Sequence, residues 1–209
     1  MASRIVHLAI ADELIKKAEI KDKDRFRIGS LLPDAIPDKK AHYSKRIGED
    51  RKTFDLSYFY ERYKDKILTD DLYLGYHLHL LEDVLFRWYM YEIRGYTPAV
   101  KGNVEALHND YSLINAYVRD KYEISDYITL PEGIKEEEIF KDFDFDIEGL
   151  LEEFKEDLKC EAEGEAVFFD RKAADMYIDK CVKECLKEME ALRIGERYFN
   201  EDDYAWRRK

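Results

Sequence analysis

Apolar residues recur through much of this chain at the spacing of one face of an α-helix. Residues 3–19 predict a first helix, whose inner face carries His7, Ala11, Leu14 and Ala18 at offsets of 4, 7 and 11. The stretch "TFDLSYFYERYKDKIL" predicts another, with Thr53 as its N-cap. Residues 38–52 are polar and show no helical period. We therefore expect helices joined by an irregular polar connection.

The segment 70–94 predicts a long helix with apolar residues on both sides. "TDD" at 69–71 supplies its N-cap, and Gly95 ends it. Because successive residues turn by about 100°, Asp83 lies within about 40° of His79, whereas His77 lies about 160° away. We expect a buried central helix on which His79, and not His77, shares a face with Asp83.

From about residue 122 the chain is acidic and amphipathic. "KEEEIFKDFDFDIEGLLEEFKEDLKC" and "DRKAADMYIDKCVKECLKEMEAL" predict helices with many i,i+4 charge pairs, and the tail either docks through Tyr204 and Trp206 or is disordered. The sequence shows no internal repeat and no low-complexity linker. It predicts a single all-α domain over 1–209, a multi-helix bundle around the 70–94 helix. In that domain 1–120 forms the core and the acidic helices of 121–209 pack on it.

Composition and charge narrow the class of protein. Hydrophobic residues make up 45% of the chain and prolines number only four, which favours a globular helical fold. The net charge of -12 argues against stable binding to nucleic acid or an anionic membrane, because its field repels phosphate. Lacking a signal peptide pattern or a long apolar run, the chain is expected to be cytoplasmic. Cys160 is remote from Cys181 and Cys185, which are either free thiols or a zinc-binding pair.

All five histidines lie within the first 108 residues, at 7, 42, 77, 79 and 108. His79 and Asp83 are about 6 Å apart on one helix face, a spacing that suits two ligands of one metal ion and also a simple buried hydrogen bond. His7 alone could be a core histidine, and Asp34 alone a turn aspartate after proline.

Five short motifs, taken in their order along the chain, favour the metal-ligand interpretation. "RIVHLAIADELIK", "IGSLLPDA", "AHYS", "FDLSYFYERY" and "LGYHLHLLEDVLFRW" together resemble the zinc-dependent phospholipase C family, which includes related zinc single-strand nucleases. In that family an N-terminal helix supplies a histidine, a G-S-x-x-P-D turn an aspartate, and a loop a second histidine. A helix reading G-Y-x-x-H-x-x-x-D supplies the last two ligands. The resemblance covers roughly residues 3–95.

The resemblance implies a ligand set. Asp34, His42, His79 and Asp83 would hold a first metal, and His7 would belong to a neighbouring metal that Asp83 bridges. Zinc, as one or two ions, suits this histidine-rich set, although manganese, iron or nickel would accept the same ligands.

Two departures from the family pattern concern the remaining metal ligands. Met1 and Ala2 stand where the family uses the amino group of an N-terminal tryptophan. Where the family has an H-x-x-x-[DE] pair, His108 is followed four residues later by Ser112. A full set of three metals is therefore not expected.

The implied function is metal-dependent hydrolysis of a phosphoester in a small soluble substrate, through a metal-activated water. Asp34 would also orient that water or accept its proton. His108 is a substitute ligand, a general acid for the leaving group, or a helix-edge histidine with only local contacts. Two alternatives remain: an HD-type metal phosphohydrolase, although the chain has no adjacent His-Asp dipeptide, or a non-catalytic binding protein that the metal stabilises. Neither substrate identity nor oligomeric state is indicated.

Overall fold

Helices account for most of the residues that the computed structural model describes, which are 2–36, 40–159 and 162–207. Over those ranges the α-helices are α1 (Arg4–Lys17), α2 (Lys23–Gly29), α3 (Leu56–Ile67), α4 (Asp71–Trp88), α5 (Asn103–Tyr122), α6 (Ile139–Asp142), α7 (Ile147–Lys159) and α8 (Arg171–Arg193). The fold is therefore predominantly helical, as the all-α prediction requires. Cys160 lies outside the described residues.

Helix α4 runs through the interior of the protein. The Asp70 side chain caps it by accepting a hydrogen bond from the Leu72 amide, and every residue from Gly75 to Phe86 is buried. The helix continues as a π-helical turn over Tyr89–Ile93, and Gly95 follows with a φ of 67°. The predicted segment 70–94 is thus one helix with a widened last turn.

Two glycines allow α2 to approach α4 more closely than side chains would permit. A Cβ atom on Gly29 would lie 2.1 Å from the Leu72 carbonyl oxygen, and one on Gly75 would lie 2.3 Å from that of Phe26. Only glycine fits such backbone contacts. The close approach brings the end of α2, including the Ser30 carbonyl, against the middle of α4.

A small sheet contacts α4 and the π-helical turn that continues it, and part of this sheet lies where the sequence predicted an irregular connection. Strands β1 (Ser44–Ile47), β2 (Arg51–Phe54) and β3 (Trp206–Arg207) are antiparallel and ordered β1-β2-β3. The prediction of an irregular 38–52 was wrong over these strands. Thr53 lies in β2 and is not an N-cap; Asp55 caps α3 by accepting from the Tyr58 amide. The strands are too short and too charged to reveal their pairing by alternation.

The acidic C-terminal part packs against the earlier helices; its second predicted helix is confirmed as α8, but its first is shorter than the sequence predicted. Helix α7 begins only at Ile147, because Phe143 is extended and interrupts the helical pattern before it. Helix α8 packs on α1 and α4, and α7 on α1 and α5. Of the two predictions for the tail, docking is confirmed as far as Arg207: Trp206 is 5% exposed and pairs with β2. Among the described residues, no helix has the length and apolar character needed to cross a membrane.

Candidate metal centre

The five side chains predicted as metal ligands meet at one place in the interior. His7 comes from α1, Asp34 and His42 from 3₁₀ turns at Leu32–Ala35 and Lys40–His42, and His79 and Asp83 from α4. The three histidines and Asp83 are 0% exposed, and the Asp34 side chain is 5% exposed. Four separate segments therefore deliver nitrogen and oxygen donors to one buried cluster.

The donor atoms of the cluster are close enough to share cations. His42 Nε2 lies 3.2 Å from Asp83 Oδ2, 3.2 Å from His79 Nε2 and 3.4 Å from Asp34 Oδ1. Two groups of three each place one ligand atom per residue within 4.8 Å of the others: His7, His79 and Asp83, and Asp34, His42 and His79. The structure thus places His79 in both groups, whereas the resemblance implied Asp83 as the shared ligand.

The two oxygens of Asp83 face different partners. Oδ1 lies 3.5 Å from His7 Nε2 and accepts a hydrogen bond from the Ala2 amide at 3.2 Å. Oδ2 lies 3.2 Å from His42 Nε2 and 3.8 Å from His79 Nε2. A carboxylate that divides its oxygens in this way has the geometry of a bridging ligand.

Several polar atoms of the cluster are buried without a hydrogen-bond partner. They include His7 Nε2, Asp34 Oδ1 and Asp83 Oδ2, all of which belong to the donor set. Buried polar groups are normally satisfied, because an unmade hydrogen bond costs about 1–3 kcal/mol. A bound cation would satisfy these atoms, and three imidazoles with two carboxylates form a donor set that zinc accepts. The residues present therefore fit a metal site.

Contacts behind the cluster select which ring nitrogen His7 and His79 present to it. His79 Nδ1 donates to the Ser30 carbonyl oxygen at 2.7 Å, so His79 Nε2 carries a lone pair toward the cluster. His7 Nδ1 contacts Glu82 Oε2 at 2.6 Å, and the ring directs Nε2 toward Asp83. Hydrogen bonds of this kind orient metal-binding histidines in general.

Sequence reasoning missed Glu82 and the Ser30 carbonyl. A signal for Glu82 was present, because a carboxylate in the apolar segment "LHLLEDVLF" has to be buried with a partner. No comparable signal exists for a backbone carbonyl, whose position depends on the close packing of α2 on α4.

The electrostatics of the cluster favour ionised carboxylates. Burial raises the pKa of Asp34, but the His42 imidazole 3.4 Å from Asp34 Oδ1 and the nearby His79 outweigh it and lower that pKa to about 2. Burial lowers the pKa of His7, but Asp83 and Glu82 outweigh it and raise it to about 10. Burial and the nearby His7 lower the pKa of His79 to about 3. The carboxylates thus require a compensating positive charge, which a proton on His7 or a metal cation can supply.

A cleft of about 1050 Å³ opens beside the cluster. Asp34 and Ala2 form part of its wall, so the cluster borders on a space that a small molecule can enter. His108 lies on the cleft wall, is exposed, and stacks beside Tyr111 with ring centroids 6.1 Å apart. The structure does not place His108 in either ligand group, so the substitute-ligand interpretation gains no support.

His77 faces away from the cluster, as the helical phase predicted. Its Nε2 lies 2.8 Å from Glu188 Oε1 on α8, and both side chains are fully buried. Cys181 and Cys185 are buried free thiols and belong to neither ligand group, so a zinc-binding cysteine pair gains no support. The two histidines of α4 thus lie on different faces of the helix: His79 faces the cluster, and His77 packs against α8.

Comparison with known proteins adds no relative to this picture. The chain matches no protein-family model, no curated protein and no solved structure. The likeness to the zinc-dependent phospholipase C family therefore rests on the quoted motifs and on the way their residues converge, and membership of that family stays a prediction.

Proposed function

We propose that this protein is a metal-dependent hydrolase that acts on a phosphoester of a small soluble substrate, with one or two zinc ions at the cluster. The observation that supports this proposal best is the set of buried, unpartnered donor atoms on His7, Asp34 and Asp83, completed by His42 and His79. The cleft beside this set would give a substrate access to the bound metal.

Zinc held by these residues would supply Lewis acidity toward a phosphoryl oxygen and would lower the pKa of a bound water. Asp34 belongs to a ligand group and also borders the cleft, and its low pKa keeps it ionised at neutral pH. In this proposal it orients an attacking water or accepts its proton. Glu82 and the Ser30 carbonyl hold the rings of His7 and His79 in place. His108, on the cleft wall, donates a proton to the leaving group in this proposal.

Elemental analysis combined with a substrate panel tests the proposal. Protein purified without chelator should retain about one to two equivalents of zinc or a related transition metal per chain. It should hydrolyse an aryl phosphate, a reaction lost in Asp34→Asn and reduced in His108→Ala. Asp126→Asn, at an exposed position, is the matched control and should behave as wild type.

Two results would count against the proposal. Less than about a tenth of an equivalent of metal, in protein that also takes up no added zinc, would remove the metal site. Folded, metal-replete protein that hydrolyses no phosphoester in a broad panel would instead favour the metal-stabilised binding protein.

A further inference from the structure

The cleft collects basic side chains in a protein whose net charge is -12. Arg4, Lys40, Lys52 and Arg87 all line it. Arg4 is neutralised by ion pairs with Asp157 at 2.8 Å and Glu153 at 2.5 Å. Arg87 and Lys52, by contrast, make no side-chain hydrogen bond or ion pair to any other residue in the described ranges. Two half-buried cations therefore face the cleft without counter-charges.

Arg87 lies close to the candidate metal centre on the same helix. It follows Asp83 by one turn of α4, so the Cβ atoms of the two residues are about 6 Å apart. Burial raises the pKa of Tyr111, which also lines the cleft, well above its ordinary value, while the charge of Arg87 lowers it and that of Asp83 raises it. Arg87 thus lines the cleft one helical turn from Asp83.

Lys52 reaches the same space from the sheet. It shares a face of β2 with Phe54, because side chains two residues apart on a strand point the same way, and both line the cleft. The Phe54 ring packs 5.3 Å from the ring of His42. The two unpaired cations therefore line the cleft from different elements, Arg87 from α4 and Lys52 from β2.

We propose that Arg87 and Lys52 form an anion clamp that selects dianionic phosphomonoesters over phosphodiesters. This inference rests on the proposed function and names its substrate class. A phosphomonoester carries about -1.5 to -2 charges at pH 7 and three terminal oxygens, whereas a diester carries one charge and two such oxygens. The planar guanidinium of Arg87 binds two oxygens at once, and the Lys52 ammonium adds a point charge.

The charge balance of the cleft favours a dianion. Asp157 is already paired with Arg4, and Asp34 belongs to the ligand set. Covering Arg87 and Lys52 with a substrate removes both from water, which is unfavourable unless the substrate brings matching negative charge. A monoester supplies that charge for both cations, and a diester leaves one of them uncompensated.

Charge-removing variants with matched controls test the clamp. Arg87→Gln and Lys52→Gln are compared with Arg193→Gln and Lys183→Gln, which remove the same charges at exposed positions on α8. The first measurement is the affinity for inorganic phosphate by calorimetry, in zinc-loaded and in chelator-treated protein. The second is the ratio of kcat/KM for p-nitrophenyl phosphate to that for bis(p-nitrophenyl) phosphate.

Arg87→Gln should weaken phosphate binding about tenfold or more and lower the monoester-to-diester ratio by a similar factor, since a lost charge-assisted hydrogen bond has that effect. Lys52→Gln should act in the same direction with a smaller effect. Both controls should stay within about twofold of wild type. Zinc content should be unchanged in all four variants, because none removes a ligand. If Arg87→Gln does not fold, Arg87→Lys is the second variant. It keeps the positive charge but removes the planar guanidinium group that binds two oxygens, and it should weaken phosphate binding to an intermediate extent.

The outcomes separate the clamp from the proposed function. Zinc-loaded Arg87→Gln and Lys52→Gln that bind phosphate as wild type does, or wild type that prefers the diester, overturn the clamp and leave the hydrolase proposal standing. Wild type that binds no phosphate in either metal state also overturns the clamp. Metal-free protein that takes up no zinc, yet binds phosphate in an Arg87-dependent way, supports the clamp and removes the proposed function.

Discussion

His7 Nδ1 lies 2.6 Å from Glu82 Oε2, and both side chains are buried. Because the other ring nitrogen of His7 has no hydrogen-bond partner and lies 3.5 Å from Asp83 Oδ1, the Glu82 contact determines which nitrogen faces the cluster. In the proposed metal site, Glu82 would therefore orient His7 toward the ion without being a ligand itself.

Replacing Glu82 with glutamine should weaken metal binding without removing a ligand. We expect Glu82→Gln to lower zinc affinity by about 10- to 100-fold, because the carboxylate that orients and polarises the His7 ring is lost. Competition with a chromophoric chelator measures this affinity. Glu188→Gln is the matched control, since it alters a buried carboxylate that contacts His77 rather than a cluster histidine. Equal zinc affinities for Glu82→Gln and wild type would contradict the assignment of Glu82.

The two histidines on α4 should respond oppositely to truncation. His79→Ala removes a member of both ligand groups and should abolish metal retention and activity. His77→Ala should keep the metal and destabilise the fold by about 1–3 kcal/mol, through a packing defect and the loss of its contact with Glu188. Metal content and urea unfolding of both variants check this. The reverse pattern, with metal lost only in His77→Ala, would refute the assignment of faces on α4.

How much could be predicted from the sequence depends on how local each signal is. The faces of α4 follow from helical geometry within one segment, so the separation of His77 from His79 was predictable. His7, Asp34 and His42 belong to short motifs whose order along the chain resembles a known family. These positions could therefore be assigned without first predicting which residues are in contact. The structure brings all three together with His79 and Asp83.

The sheet could not be predicted in the same way. Strand β2 pairs with Trp206 and Arg207, which lie more than 150 residues further along the chain, so no local pattern reports the pairing. The cleft wall that carries Lys52 and Phe54 depends on this sheet. The extended Phe143, after which α7 begins only at Ile147, could not be predicted either, because the acidic amphipathic pattern continues across it.

Removal of metal should lower thermal stability. A ligand that binds only the folded state stabilises it by about 2.7 kcal/mol at one hundred times its dissociation constant. For a chain of this length such a loss should lower the Tm by roughly 5–10 °C after treatment with a chelator. Differential scanning calorimetry measures the shift. His79→Ala serves as the control, because a variant without metal should show no further shift. A wild-type Tm that is insensitive both to chelator and to added zinc would argue against a structural contribution from metal.

A separate buried network connects the tail to α4 and should make stability depend on pH. Glu188 contacts His77 Nε2 at 2.8 Å and accepts hydrogen bonds from the amides of Tyr198 and Phe199. Burial raises the pKa of Glu188, but these contacts and the charge of Arg197 outweigh it and lower that pKa from 4.5 to about 2. Burial also lowers the pKa of His77 from its ordinary 6.5.

Acid should therefore destabilise the protein through this network. The unfolded chain binds protons at Glu188 near pH 4.5 and the folded chain only near pH 2, so the contribution is present above 4.5 and is lost between these values. The sign is the same for His77, whose lowered pKa in the folded chain gives a loss that begins below pH 6.5. Urea unfolding of chelator-treated protein from pH 7 to pH 2 should give a flatter stability profile for Glu188→Gln than for wild type. The exposed Glu190→Gln should follow wild type, and a Glu188→Gln profile that does the same would show that this carboxylate does not couple stability to pH.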